Sequence, residues 1–166
     1  VIPDKQKWNK EHLVVSDGSE VRIDFSFLRD ELNSYQKGKC FYCLKTISIK
    51  SGDENLSVVD HFFPHRLKDH GFKNLDGIWN LVLACKECNR GVDGKFDSVP
   101  GLKYLQRLNI RNNYLISSHH PLRETLMQQT GSFVKDRESF LQKYYNDSID
   151  ELIHEWKPSE EFDFEF

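Results

Sequence analysis

Short apolar runs broken by turn residues fill the first hundred positions, and apolar spacings of helical period take over afterwards. Leu13-Val14-Val15 and Val21-Arg22-Ile23 flank Asp17-Gly18, a turn pair, and predict a short hairpin. Ser26 stands where a cap belongs, ahead of Phe27, Leu28, Leu32 and Tyr35, which predict a helix ending near Gly38. Leu56 to Phe62 is β-branched and apolar and reads as a strand closed by Pro64. Trp79 to Leu83 reads as a second strand, and a turn from Cys85 leads into a short helix broken by Gly91 and Gly94. Beyond residue 100, Leu102, Leu105, Leu108 and Ile110 recur near helical spacing. Pro121 suits a first helical turn and Gly131 a helix end. Phe133, Phe140, Leu141 and Tyr144 predict a third helix in this region. Ile149, Leu152, Ile153 and Trp156 predict a fourth, with Pro158 after it. The acidic, aromatic end from Phe162 to Phe166 reads as a frayed terminus.

These elements make an α+β chain in three parts. Residues 1–39 form an N-terminal segment with a hairpin and a helix. Residues 40–99 form a small unit of two strands and a helix. Residues 100–166 form a helical extension with an acidic tail.

The four cysteines change this picture most. They fall as Cys40-x-x-Cys43 and Cys85-x-x-Cys88, with 41 residues between the pairs. Each C-x-x-C offers two thiolates from one tight turn, and two such turns complete a tetrahedral, structural zinc site. Four thiolates leave no open position, so such a zinc is not catalytic. With no secretory pattern at the start, a reducing, cytoplasmic compartment fits.

Chemistry-bearing residues gather around the two knuckles. Asp60 and His61 end the first predicted strand, Asn80 lies at the start of the second, and Asn89 follows Cys88. Hydrolysis of a phosphodiester needs a deprotonated water and stabilisation of charge on the phosphate and the leaving oxygen. A histidine can take the proton near neutral pH. A divalent cation can carry the charge, and it prefers hard oxygens such as those of Asp60 and Asn89.

The run C-x-x-C, Val59-Asp60-His61-Phe62-Phe63-Pro64, Trp79-Asn80-Leu81-Val82, Cys85-x-x-Cys88-Asn89 resembles the HNH endonuclease core over residues 40–95. The resemblance implies a ββα-metal fold with zinc knuckles, surrounded by mainly α-helical extensions. It implies His61 as general base, Asp60 and Asn89 as ligands of one catalytic Mg²⁺ or Mn²⁺, and Asn80 holding the loop and orienting His61. It also implies products with 5′-phosphate and 3′-hydroxyl ends. Many members carry a Lys or Arg three or four positions after the last Asn, where this chain has Val92 and Asp93. Arg90 or Lys95 is the expected substitute. His65 stands where many relatives have Trp and is read as a packing residue. His119-His120 is read as the approach to a helix.

Charge and composition bear on partners. Net charge is −3, which disfavours non-specific adhesion to nucleic acid by bulk charge. From His65 to Arg111, however, nine Lys or Arg face five Asp or Glu, whereas Asn146 to Phe166 holds eight acids and one Lys. Arg66, Lys68, Lys73, Arg90 and Lys95 are the candidate phosphate contacts, which supply affinity without reading sequence. No apolar run approaches the roughly 20 residues of a membrane span. The first residue is Val, and the expectation is a nuclease effector domain of a longer restriction or anti-phage protein, acting on DNA. RNA is open to the same chemistry, as in a toxin nuclease, since nothing visible reads a 2′-hydroxyl. A zinc-stabilised nucleic-acid-binding module without catalysis is the alternative from another class, and an interaction module built on the acidic tail ranks below it.

Overall fold

The two predicted N-terminal strands pair. In the computed structural model, which describes residues 13–16, 20–23, 25–151 and 155–162, β1 (Leu13–Ser16) and β2 (Glu20–Ile23) form an antiparallel hairpin. Ser26 begins a 3₁₀ turn, Ser26–Leu28, rather than capping a helix. The α-helix proper, α1 (Arg29–Gln36), follows directly. Lys37 turns left-handed (φ 50°) and ends it, while Asn33 Oδ1 accepts from the Gly38 amide at 2.7 Å.

β3 (Val58–His61) and β4 (Leu81–Ala84) pair antiparallel, with Val58 opposite Ala84 and His61 opposite Leu81. β4 starts two residues later than the apolar run predicts, because Ile78–Asn80 winds into a 3₁₀ turn. The cause is non-local. Arg111, fully buried on a distant helix, donates to the carbonyls of Leu81 (2.7 Å), Ile78 (3.1 Å) and Trp79 (3.2 Å) and fixes them in that turn. Across β4, the buried Gln36 side chain behaves like a strand: it accepts from the Leu83 amide at 2.9 Å and donates to the Leu83 carbonyl at 2.8 Å. The Phe41 amide also donates to that carbonyl, so a two-stranded sheet is buried without orphaned backbone groups at this point.

α2 (Lys86–Arg90) follows β4 and packs against β3. The helical extension contains α3 (Leu102–Ser117), α4 (Arg123–Thr130) and α5 (Val134–Glu151). His120 lies on the approach to α4, with its Nδ1 accepting from the Leu122 amide at 3.1 Å. The predicted third helix and the first residue of the predicted fourth, Ile149, share one helix; Leu152 and Ile153 lie outside the described residues. α5 runs through Asn146-Asp147-Ser148, where the buried Ser148 hydroxyl satisfies itself on the Tyr145 carbonyl at 2.8 Å. Trp156 belongs instead to β6 (Glu155–Trp156), parallel to β5 (Val99–Pro100). The tail stays docked beyond that strand, since the Phe162 amide donates to the Cys43 carbonyl at 2.8 Å; residues 163–166 of the predicted frayed end lie outside the described residues.

The result is an α+β fold whose hydrophobic cluster runs from Phe25 and Leu28 through Phe62, Trp79 and Leu108 to Leu141 and Trp156. Trp79 carries the helical layer, with Phe140 (4.7 Å) and Tyr144 (4.9 Å) packed edge-on against it. Arg111→Ala is expected to lower the unfolding free energy by roughly 3 kcal/mol or more, because a large buried side chain is removed, the Leu81 carbonyl loses its side-chain donor, and the Ile78 and Trp79 carbonyls keep only the Leu81 amide and the Asn112 side chain. Denaturant melts of the two proteins check this. A loss below about 0.5 kcal/mol contradicts the assigned role.

Candidate active site and metal centre

The hydrogen-bonded turn after Cys40 and the start of α2 bring all four cysteines together. Their sulfurs lie within 4.8 Å of one another, and all four residues are buried. Cys43 Sγ and Cys85 Sγ are 3.7 Å apart, which matches the roughly 3.8 Å edge of a tetrahedron with metal–sulfur bonds of about 2.3 Å. It is far from the roughly 2 Å of a disulfide. The Cys85 amide points at Cys40 Sγ (3.3 Å) and the Cys88 amide at Cys85 Sγ (3.4 Å), so backbone dipoles favour thiolates there. The cluster is compatible with one structural metal ion such as zinc.

β3 delivers Asp60 and His61 to the end of the hairpin. His61 Nε2 is 2.8 Å from Asp76 Oδ1, and the ring is held edge-on by Phe25 (5.7 Å) and His65 (5.5 Å). A neutral imidazole donating from Nε2 to a carboxylate keeps its lone pair on Nδ1. Burial alone raises the Asp76 carboxyl, but the His61 hydrogen bond and the charges of His61, His65 and Lys68 more than offset it, and its pKa falls below the ordinary range. His65 is exposed and lies 3.8 Å from the same Asp76 oxygen, so it flanks the pair and does not pack into the core.

Asp76 is the candidate site residue that sequence reasoning misses. It sits in Asn74-Leu75-Asp76-Gly77, where it reads as an ordinary turn acid. Asn80 is wholly buried and staples the loop shut: it accepts from the Phe63 amide (2.7 Å) and donates to the carbonyls of Phe63 and Leu75 (both 2.9 Å). It thus fixes the residue next to Asp76 and acts on His61 through that loop, not by touching the ring.

Asp60 is buried, and its Oδ2 accepts from Tyr42 Oη at 2.7 Å and faces Lys95 Nζ at 3.4 Å. Burial, then the Asp60 charge, push the Tyr42 phenol far above its ordinary range, so it remains a donor. Burial lowers Lys95, and Asp60 pulls it back up in part. Among the described residues, Asp60 Oδ1 and the half-buried Asn89 side chain accept no hydrogen bond. Two hard oxygen donors thus stay uncommitted, on β3 and on the helix packed against it, and they fit the oxygen chemistry of a divalent cation.

The expected nucleic-acid contacts divide. Arg66 and Lys68 are exposed on the 3₁₀ turn His65–His70, and Arg90 is exposed with its guanidinium over the Phe96 ring. Lys95 corrects the expectation: its side chain has no exposure, being bonded to Asp60 and to the His61 carbonyl (2.7 Å), so it is not a surface phosphate contact. A groove of about 540 Å³ is lined by His65, Lys68, Phe72, Lys73, Asn74 and Asp76 among others; it meets the His61–Asp76 pair at Asp76, and His61 is not in its lining. Comparison with protein families, curated proteins and solved structures finds no match to this chain.

Elemental analysis of protein purified without chelators is expected to give about one metal ion per chain, and Cys85→Ser to lose it; a metal-free, fully folded wild type contradicts the centre. Asp76→Asn is expected to flatten the acid side of the stability profile. The lowered carboxyl stabilises the wild type above about pH 4, the ordinary Asp value, and that contribution is lost as pH falls through the lowered pKa. Unfolding at a series of pH values checks this, and parallel curves for both proteins would refute it.

Proposed function

We propose that this chain is an endonuclease of the HNH type that hydrolyses phosphodiester bonds in DNA. The observation that carries the reading is the placement of His61. Its ring is held by Asp76 through one nitrogen, the other nitrogen has no partner among the described residues, and the uncommitted oxygens of Asp60 and Asn89 are supplied by the same hairpin and helix. A merely adhesive module has no use for a histidine so oriented.

In this reading a phosphodiester lies along the groove of His65, Lys68 and Lys73, whose charges neutralise its flanking phosphates. His61 Nδ1 takes a proton from water as the water oxygen attacks phosphorus, and Asp76 stabilises the imidazolium that forms. Asp60 and Asn89 would hold a Mg²⁺ or Mn²⁺ ion, which supplies charge stabilisation for the phosphate and the departing 3′-oxygen. The four thiolates hold zinc, which has only a structural part. Within a larger defence protein, such a unit is the effector that cuts. RNA cleavage and binding without cleavage are the competing outcomes.

The experiment is cleavage of matched DNA and RNA duplexes with Mg²⁺, Mn²⁺ or EDTA. The wild type is expected to cut DNA with metal. His61→Ala is expected to be slower by about 10²-fold or more, and Asp76→Asn by about 10-fold in kcat with KM little changed. Cleavage of RNA alone would move the substrate assignment. Binding of both duplexes with cleavage of neither would replace the nuclease reading by a zinc-stabilised binding module.

A further inference from the structure

Lys95 is an unusual residue to find beside a candidate cation ligand. Its ammonium is wholly buried, its Nζ bonds the His61 carbonyl at 2.7 Å, and it lies 3.4 Å from Asp60 Oδ2. The surrounding loop is shaped to place it. The Lys95 amide donates to the Cys88 carbonyl at 2.6 Å, and the Phe96 amide donates to the Asn89 carbonyl at 2.9 Å. Trp156 Nε1 pins the Asp93 carbonyl at 2.8 Å. Phe96 adopts φ 47°, a conformation that a bulky residue takes only where its surroundings impose it. A side chain at Gly94 would lie 2.8 Å from the Gly91 backbone, so the loop closes only with glycine there. The metal knuckle, the candidate ligand Asn89 and the tail all hold the backbone that inserts this lysine.

The charge balance has a consequence. An unpaired carboxylate in a low-dielectric site attracts a divalent cation strongly. Paired with a buried ammonium, Asp60 offers a cation one free oxygen but almost no net negative charge. A nucleic-acid phosphate bound against the cation would restore the missing charge. Resting on the nuclease reading above, we propose that Lys95 makes divalent-cation binding conditional on nucleic acid: the free protein binds the cation weakly, and the phosphate strand and the cation bind together. By linkage, each then tightens the other by the same factor.

The test is Mn²⁺ titration of the zinc-loaded full chain, followed by the electron paramagnetic resonance signal of free Mn²⁺. Mn²⁺ competes poorly for thiolates, so the cysteine centre does not intrude. Without nucleic acid, Lys95→Met is expected to bind Mn²⁺ about tenfold or more tighter than wild type, with the gain abolished in Lys95→Met/Asp60→Asn. In the His61→Ala protein, a short DNA duplex is expected to tighten Mn²⁺ binding by about tenfold or more, with a much smaller effect once Lys95→Met is added. Should Lys95→Met fail to fold, the duplex dependence in His61→Ala alone decides. Mn²⁺ affinity unaffected by Lys95→Met, or by bound duplex, overturns the proposal. If the wild type still cuts DNA through His61 in that case, only this inference falls. A duplex that is neither bound nor cut removes the nuclease reading and this inference with it.

Discussion

The four-cysteine cluster is the constraint on which the rest of the structure depends. It joins two turns separated by 41 residues of chain, and the whole candidate site hangs between or just beyond them. A hairpin of two four-residue strands cannot hold a site by its own pairing. Here one strand ends in the turn that carries Cys85, and the helix after it presents Asn89 one residue past Cys88. The Cys88 carbonyl orients the loop that inserts Lys95, and the Cys43 carbonyl receives the tail at Phe162. Loss of the cluster would therefore release both elements of the candidate site and the tail together, which couples binding at the cysteines to folding.

Charge is organised from the inside. The basic stretch from His65 to Arg111 reads along the chain as a nucleic-acid footprint, yet several of its members work in the interior. Lys95 neutralises Asp60, Arg111 satisfies three carbonyls behind the hairpin, and Arg107 donates to the carbonyls of Phe41 (2.6 Å) and Tyr42 (3.0 Å). Six of the nine Lys and Arg in that stretch are exposed; Lys103 is paired with Glu161 and Lys86 bonds the Glu54 carbonyl, which leaves Arg66, Lys68, Lys73 and Arg90, three of them on or next to the 3₁₀ turn His65–His70. A small local patch, not a broad basic face, is consistent with a net charge of −3.

What was legible in the sequence follows from how local its cause is. The cysteine spacing, the paired N-terminal strands and the Asp60-His61 strand end are written in neighbouring residues, and they stand where they were expected, the turn at Asp17-Gly18 lying outside the described residues. Asn80 was placed by its motif, but its work is to staple the loop, a role set by the Phe63 and Leu75 groups it meets in space. Asp76 was not legible because an acid in a turn has no distinguishing neighbours; only its approach to His61 gives it meaning. Lys95 was misplaced on the surface for a similar reason, since nothing in Gly94-Lys95-Phe96 announces that the loop folds inward. The unbroken course of α5 through Ser148 and the strand at Trp156 depend on a buried hydroxyl and on pairing with Val99-Pro100 far back in the chain.

In the proposed reaction His61 turns water into the nucleophile that opens a phosphodiester. The most direct measurement is cleavage of a DNA duplex by the zinc-loaded chain in ¹⁸O-enriched water, with mass analysis of the new ends. The expected result is one ¹⁸O in each new 5′-phosphate, unlabelled 3′-hydroxyl ends, and labelled product from His61→Ala formed about 10²-fold or more slowly. Ends bearing a 3′-phosphate, or labelled product formed equally well without His61, would contradict it.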